Sequence, residues 1–178
     1  MKRTTFACYG FLLAIIVSGC LSSDPIQMVK KGTLEFDKSV TVGNALNGYK
    51  YFNSTKWASF QDSQKRTIVQ FDATYDYNKF IGTTAEDFEP LTADMINKAK
   101  TNLGTVHIAC VVQFAISTDK KTFEIVSSST KISGTIEDTG KPDEKNFDDE
   151  NYQELKRVYN NQPSLTVWGL LFRAALQP

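Results

Sequence analysis

His107 is the only histidine in the chain, and Cys8, Cys20 and Cys110 are the only cysteines. One imidazole excludes any metal site built on two His ligands and leaves one candidate base for a Ser-His-Asp arrangement. His107 and Cys110 share the apolar run Val106-His107-Ile108-Ala109-Cys110-Val111-Val112. Strand alternation puts His107 opposite the more apolar face, as a structural or surface residue, with a catalytic base as the alternative. Cys110 is expected to pack inside as a small hydrophobe, with a reactive thiol as the alternative. There is no G-x-S-x-G elbow, no Walker loop and no G-x-G-x-x-G, so acyl transfer from an elbow serine and phosphate cradling have no candidate. Acids cluster at Asp143-Glu144 and Asp148-Asp149-Glu150. Several oxygens are what a calcium ion requires, but the EF-hand order and its glycine are missing. The expectation is a solvated loop whose last acids favour the start of the next helix. Asp72 and Asp76 stand about 13 Å apart along a strand, whereas glycosidase pairs lie within about 10 Å. No catalytic residue, metal or other cofactor is expected from this inventory.

Aromatic residues are the other notable group. Tyr49, Tyr51, Phe52, Trp57, Phe60, Phe71, Tyr75 and Tyr77 fall within thirty residues and are read as core, with a sugar- or peptide-binding groove as the alternative. Trp168 and Phe172 are the candidate partner patch, because an exposed apolar cluster marks a contact site; burial in the core is the competing reading.

The elements that must carry these residues follow from periodicity. Thr41 caps a predicted helix over 42–49, with Val42, Ala45, Leu46 and Tyr49 on one stripe, weakened by Gly43 and Gly48. Residues 32–38 read as a short extended segment. Residues 56–60 and 67–77 read as a hairpin around the polar 62–65 turn; Val69, Phe71, Ala73 and Tyr75 face one side, and Gln70, Asp72, Thr74 and Asp76 the other. A helix is predicted from Pro90 to Lys100, stopped by Gly104. Residues 105–117 form the strongest strand, apolar enough on both faces to be central, and 122–133 its hairpin partner, with 127–130 exposed or bulged. Residues 135–149 read as a loop and 150–160 as a helix. The apolar tail 164–176 is a strand or a helix, which periodicity does not decide. The fold class expected is α+β, an antiparallel sheet built from two hairpins with helices packed on one face.

The chain has 178 residues with 20 basic and 20 acidic side chains, so its formal charge is zero. With 41% hydrophobic residues it has a globular composition, and a balanced charge gives no support to nucleic-acid binding. Residues 1–19 read as an export signal: Lys2 and Arg3 are followed by an uncharged stretch of about 12 residues from Phe6 to Val17, too short for a bilayer core, which takes about 20. The run Val17-Ser18-Gly19-Cys20 closes it. This run resembles the lipobox of bacterial lipoproteins. The resemblance implies a diacylglycerol thioether on Cys20, cleavage before it and acylation of the new amino terminus. Leu21 in place of Asp implies, for an enteric host, the periplasmic face of the outer membrane rather than the inner membrane. Removing the leader leaves 159 residues with 18 basic and 20 acidic side chains, a charge of −2.

The expected organisation is a signal peptide over 1–19, a membrane tether over 20–31 and one domain over 32–178. Cys110 is then the only thiol in the domain, so no intramolecular disulfide supports it. Thr41-Val42-Gly43-Asn44-Ala45-Leu46, Tyr49-Lys50-Tyr51-Phe52 and Thr55-Lys56-Trp57 resemble a pattern of small uncharacterised bacterial lipoproteins, which implies no known activity. The functional expectation is a non-enzymatic envelope lipoprotein, bound to the bilayer through acylated Cys20 and acting as a binding or assembly module for another envelope protein. The alternative is a small-ligand binder with a pocket between sheet and helices.

Overall fold

The first ordered step is a capped helix. In the computed structural model, which describes residues 24–85, 88–135 and 142–177, the Asp24 side chain accepts from the Ile26 N–H and opens α1, Pro25–Lys31. Pro25 suits the first helical turn, where its missing N–H removes no bond. Val29 is fully buried, and Ile26 and Met28 pack against the core. The expected tether over 20–31 is corrected here: residues 25–31 belong to the folded domain, because this apolar stripe has a surface to cover. Cys20 and the leader lie outside the described residues. The expected extended segment 32–38 is a turn closed by a bridge between Leu34 and Asp37.

Helix α2, Val42–Gly48, starts as predicted, with the Thr41 hydroxyl accepting from the Asn44 N–H at 3.3 Å. It lies against the end of α1, and Gly43 makes this possible: a Cβ there would sit 2.9 Å from the Lys30 carbonyl oxygen.

Strands β1 (Phe52–Gln61), β2 (Thr67–Tyr75), β3 (His107–Ile116), β4 (Phe123–Thr135) and β5 (Pro142–Asp148) form one antiparallel sheet in the order β1-β2-β3-β4-β5. β3 is central, as its apolarity on both faces predicts. β5 corrects the expected loop. Four of its seven residues are charged, and an edge strand tolerates charge on its open side; Lys131 of β4 and Glu144 of β5 pair at 2.6 Å. The β3–β4 register shifts between Gln113 and Phe114, where Ile125 and Ser127 are paired but Val126 is not. The irregularity thus borders the serine run, while Ser128 and Thr130 within it are buried.

Helices α3 (Ala93–Leu103), α4 (Gln153–Tyr159) and α5 (Leu165–Leu176) complete the α+β fold. α3 begins three residues after the predicted Pro90, because Thr92 supplies the capping oxygen to the Met95 N–H. Gly104, at φ 54°, ends it. The tail is a helix: Val167, Trp168, Leu171, Ala174 and Ala175 are buried at helical spacing, and α5 packs on α3. The sheet face covered by helices presents Phe71, Val112 and Phe114, all fully buried.

The two glycines of α2 separate propensity from packing. Gly48→Ala meets nothing within 4 Å and should raise the urea midpoint, by up to about 1 kcal/mol of stability. Gly43→Ala should lower it, because the methyl group meets backbone. Equal shifts for both would refute the close-approach account.

Candidate functional site

Cys110 sits on the helix-covered face of β3, between Ala73 of β2 and Thr130 of β4. Burial pushes its thiol up to about 12 from 9.0, and the Asp149 and Glu154 carboxylates reinforce the shift against a hydrogen bond from Tyr75. Tyr75 is buried beside it, and burial raises its phenol further above the ordinary value. Tyr49 is raised for the same reason and donates its hydroxyl to the Gln162 carbonyl at 2.8 Å. The interior therefore holds its sulfur and phenols neutral.

Asp149 organises the polar edge of this layer. Its Oδ1 accepts from the Glu154 N–H at 2.8 Å. Its Oδ2 accepts from the Leu155 N–H and from the Ser128 hydroxyl, both at 2.9 Å. One carboxylate thus caps α4 and ties it to the middle of β4. Bonds to an ionised acceptor are the strong class, each contributing about 1.5–3 kcal/mol. Glu154 repeats the device between helices: its Oε1 accepts from the Thr166 N–H and hydroxyl, while Oε2 is buried without a partner. Of the acid run at 148–150, Asp149 supports the helix start by accepting its N–H groups directly, while Asp148 ends β5 instead of lying in a loop. Among the described residues, no group of three or more His, Cys, Asp or Glu side chains is placed to hold a metal.

His107 is exposed at the first residue of β3, opposite Ser133. Three residues from Cys110, it projects from the other face of the sheet. Asp72 receives both its contacts from Gln70 Nε2 at 2.9 Å, and Gln113 Nε2 donates to Gln70 Oε1 at 2.7 Å. Asp76 instead accepts from the Asn78 N–H and caps a 3-10 turn. The two carboxylates belong to separate local structures. Gln70, Asp72, Gln113, Ser129 and Asn146 border a shallow polar cleft of about 280 Å³ on the sheet face away from the helices.

The candidate partner patch divides. Trp168 is buried, donating its indole N–H to the Thr83 carbonyl at 3.1 Å, and Phe172 stacks on it at 5.0 Å and 15°. Phe88, 53% exposed, leans on both rings at 5.6 and 5.5 Å. The surface of the patch is therefore Phe88 with half-buried Phe172, and Trp168 is its floor. Together with Ala85, Leu165 and Arg173 they line an apolar cleft of about 350 Å³. No family model, curated protein or solved structure matches the chain. Phe88 lies in a segment without periodicity, so nothing in its sequence context joins it to α5. The aromatic run at 49–77 is mostly core: Tyr49, Tyr51, Phe52, Phe71 and Tyr75 are buried, while Phe60 is exposed.

Two measurements follow from this geometry. Asp149→Ala removes three bonds to one carboxylate and should lower stability by about 2–3 kcal/mol in urea unfolding; a loss below about 0.5 kcal/mol would show that the carboxylate is not structural. Native Cys110 should resist alkylation at neutral pH and react once the chain is unfolded. Its raised native value makes the effect alkaline in sign: the contribution is complete below 9.0 and is lost as pH rises from there towards 12. Rapid native alkylation at neutral pH would refute this.

Proposed function

We propose that this protein is a lipid-anchored module of the bacterial cell envelope that binds another envelope component without carrying out a reaction. The observation that carries the reading is Val17-Ser18-Gly19-Cys20 at the end of a basic-then-apolar leader. A thioether lipid needs a thiol, and small residues before it admit the backbone to a peptidase. A single acyl chain binds membranes only marginally, whereas two or more anchor stably. Among the described residues no helix is long and apolar enough to cross a membrane; attachment in this reading rests on Cys20. Leu21 favours the periplasmic face of the outer membrane.

The non-catalytic part of the reading is supported by how the reactive groups are used. The described thiol is buried and neutral, the imidazole projects from the opposite sheet face, and Asp149 is engaged in capping. The surface available to a protein partner is the Phe88–Phe172 cleft, apolar with Arg173 on its border. Its volume of about 350 Å³ also falls in the lower range of small-molecule pockets. A small ligand would sit there, between α5 and the side chains of Ala85 and Phe88, rather than between sheet and helices, where Phe71, Phe80 and Phe114 are fully buried.

Metabolic labelling with palmitate tests the anchor. The wild-type chain should take up label and sediment with membranes, and Cys20→Ala should lose both properties. Label persisting in the variant would overturn the reading.

A further inference from the structure

The sheet has one end at which two turns meet. Ile68 pairs with Ala115, so the β1–β2 turn and the β3–β4 turn lie side by side, and Arg66, Ser117, Thr118 and Thr122 border one cleft of about 430 Å³. The two turns are built alike. In the first, Asp62 Oδ1 accepts from the Gln64 and Arg66 N–H groups at 2.9 Å, and its Oδ2 pairs with Arg66 Nε at 2.8 Å. In the second, Asp119 accepts from the Ser117 hydroxyl at 2.6 Å and the Lys121 N–H at 3.0 Å. Each turn thus ties its acid to its own backbone and leaves lysine side chains exposed at the tip.

Each turn also places a lysine in the left-handed region, Lys65 at φ 61° and Lys120 at φ 56°. Turn geometry by itself favours glycine or asparagine there. Two adjacent tips carry a cation where the backbone prefers a small residue. Helix α1 adds a third contribution at this end. Its cap, Gly32, lies against Phe123, the first residue of β4 after the turn, so exposed Lys31 is nearby.

We propose that this end of the sheet rests on the bilayer, with Lys31, Lys65, Arg66, Lys120 and Lys121 binding the phosphates of anionic phospholipids. The proposal rests on the lipid-anchor reading. Four residue steps separate Cys20 from Asp24, at most about 14 Å of chain, and α1 is about 10 Å long. The fatty chains are therefore held within roughly 25 Å of the Gly32 end of α1, which lies against Phe123 at the foot of the β3–β4 turn, and the domain cannot lift far from the surface. Five cations against Asp62, Asp119 and Glu124 make this end +2. The chain from Cys20 onward has a total of −2, so its remainder is −4 and is repelled by an anionic surface. Attraction at one end and repulsion elsewhere orient the domain.

The test uses the lipidated full-length product on vesicles of phosphatidylcholine alone or mixed with phosphatidylglycerol. An amine-acylating reagent and mass spectrometry read each lysine. On anionic vesicles at low salt, Lys65, Lys120 and Lys121 should react about fivefold more slowly than on neutral ones, recovering at high salt, while Lys98 and Lys145 are unchanged. Lys65→Glu with Lys120→Glu should still float with the vesicles but lose the protection at Lys121. Equal rates on both vesicles, or a uniform slowing of all lysines, would overturn the proposal. A wild-type product without lipid would defeat the anchor reading instead; site-specific protection on added anionic vesicles would then still support the docking end, and its absence would overturn it.

Discussion

A five-stranded sheet with one apolar face has to bury that face, and here helices do so. Phe71, Val112 and Phe114 offer no compensation to water, and removing any one large side chain from such a core costs about 3–5 kcal/mol. Cys110 is the one described cysteine and is free, so no described disulfide shares this task. The placement of four helices follows, and α3 packs on one of them, α5. α1 turns Val29 inward, α2 turns Leu46, α4 turns Leu155 and Val158, and α5 turns Trp168 and Leu171. Several of these helices have only seven residues, too short to hold together alone in water. They persist because the sheet gives their apolar sides a place to go.

Apolar burial has no preferred direction, and polar ties supply it. Asp149 joins α4 to β4, Glu154 joins α4 to α5, and the Tyr49 hydroxyl reaches the connection between those two helices. Asn102 of α3 donates to the Ala174 carbonyl near the end of α5. The Asp149 and Glu154 carboxylates accept first-turn N–H groups of α4 and α5 that have no partner within their own helix. Packing brings the helices to the sheet, and the ties fix their angle and register. The same low-dielectric interior keeps Cys110 and Tyr75 neutral, so the layer richest in potentially reactive atoms acts as structure.

Function in our reading therefore belongs to surfaces. The face away from the helices is lined by amides, hydroxyls and charges, among which Gln70, Asp72 and Gln113 bond to one another and Lys131 pairs with Glu144. The aromatic cleft at Phe88 is apolar, and the turn end is cationic. An anchored domain needs surfaces of differing character, because its orientation at the bilayer determines which of them a partner can reach. In the anchor reading, the short span between Cys20 and α1 would couple the anchor to the domain's attitude, which a long tether would not do.

Local chemistry was legible where a residue acts on its own neighbours. Thr41 as a cap, Gly104 as a stop, the alternation of β2 and the centrality of β3 follow from side-chain geometry within a few residues. So does the division of His107 and Cys110 onto opposite faces. Tertiary structure alone decided what depends on distant partners. Residues 142–148 became a strand because β4 offered an edge, and 25–31 a docked helix because the core offered a surface. Phe88 joined Trp168 and Phe172 across eighty residues. Lys65 and Lys120 met at one end through strand pairing. Long-range contacts select among local conformations of nearly equal energy, and a linear reading has no term for the partner that makes the selection.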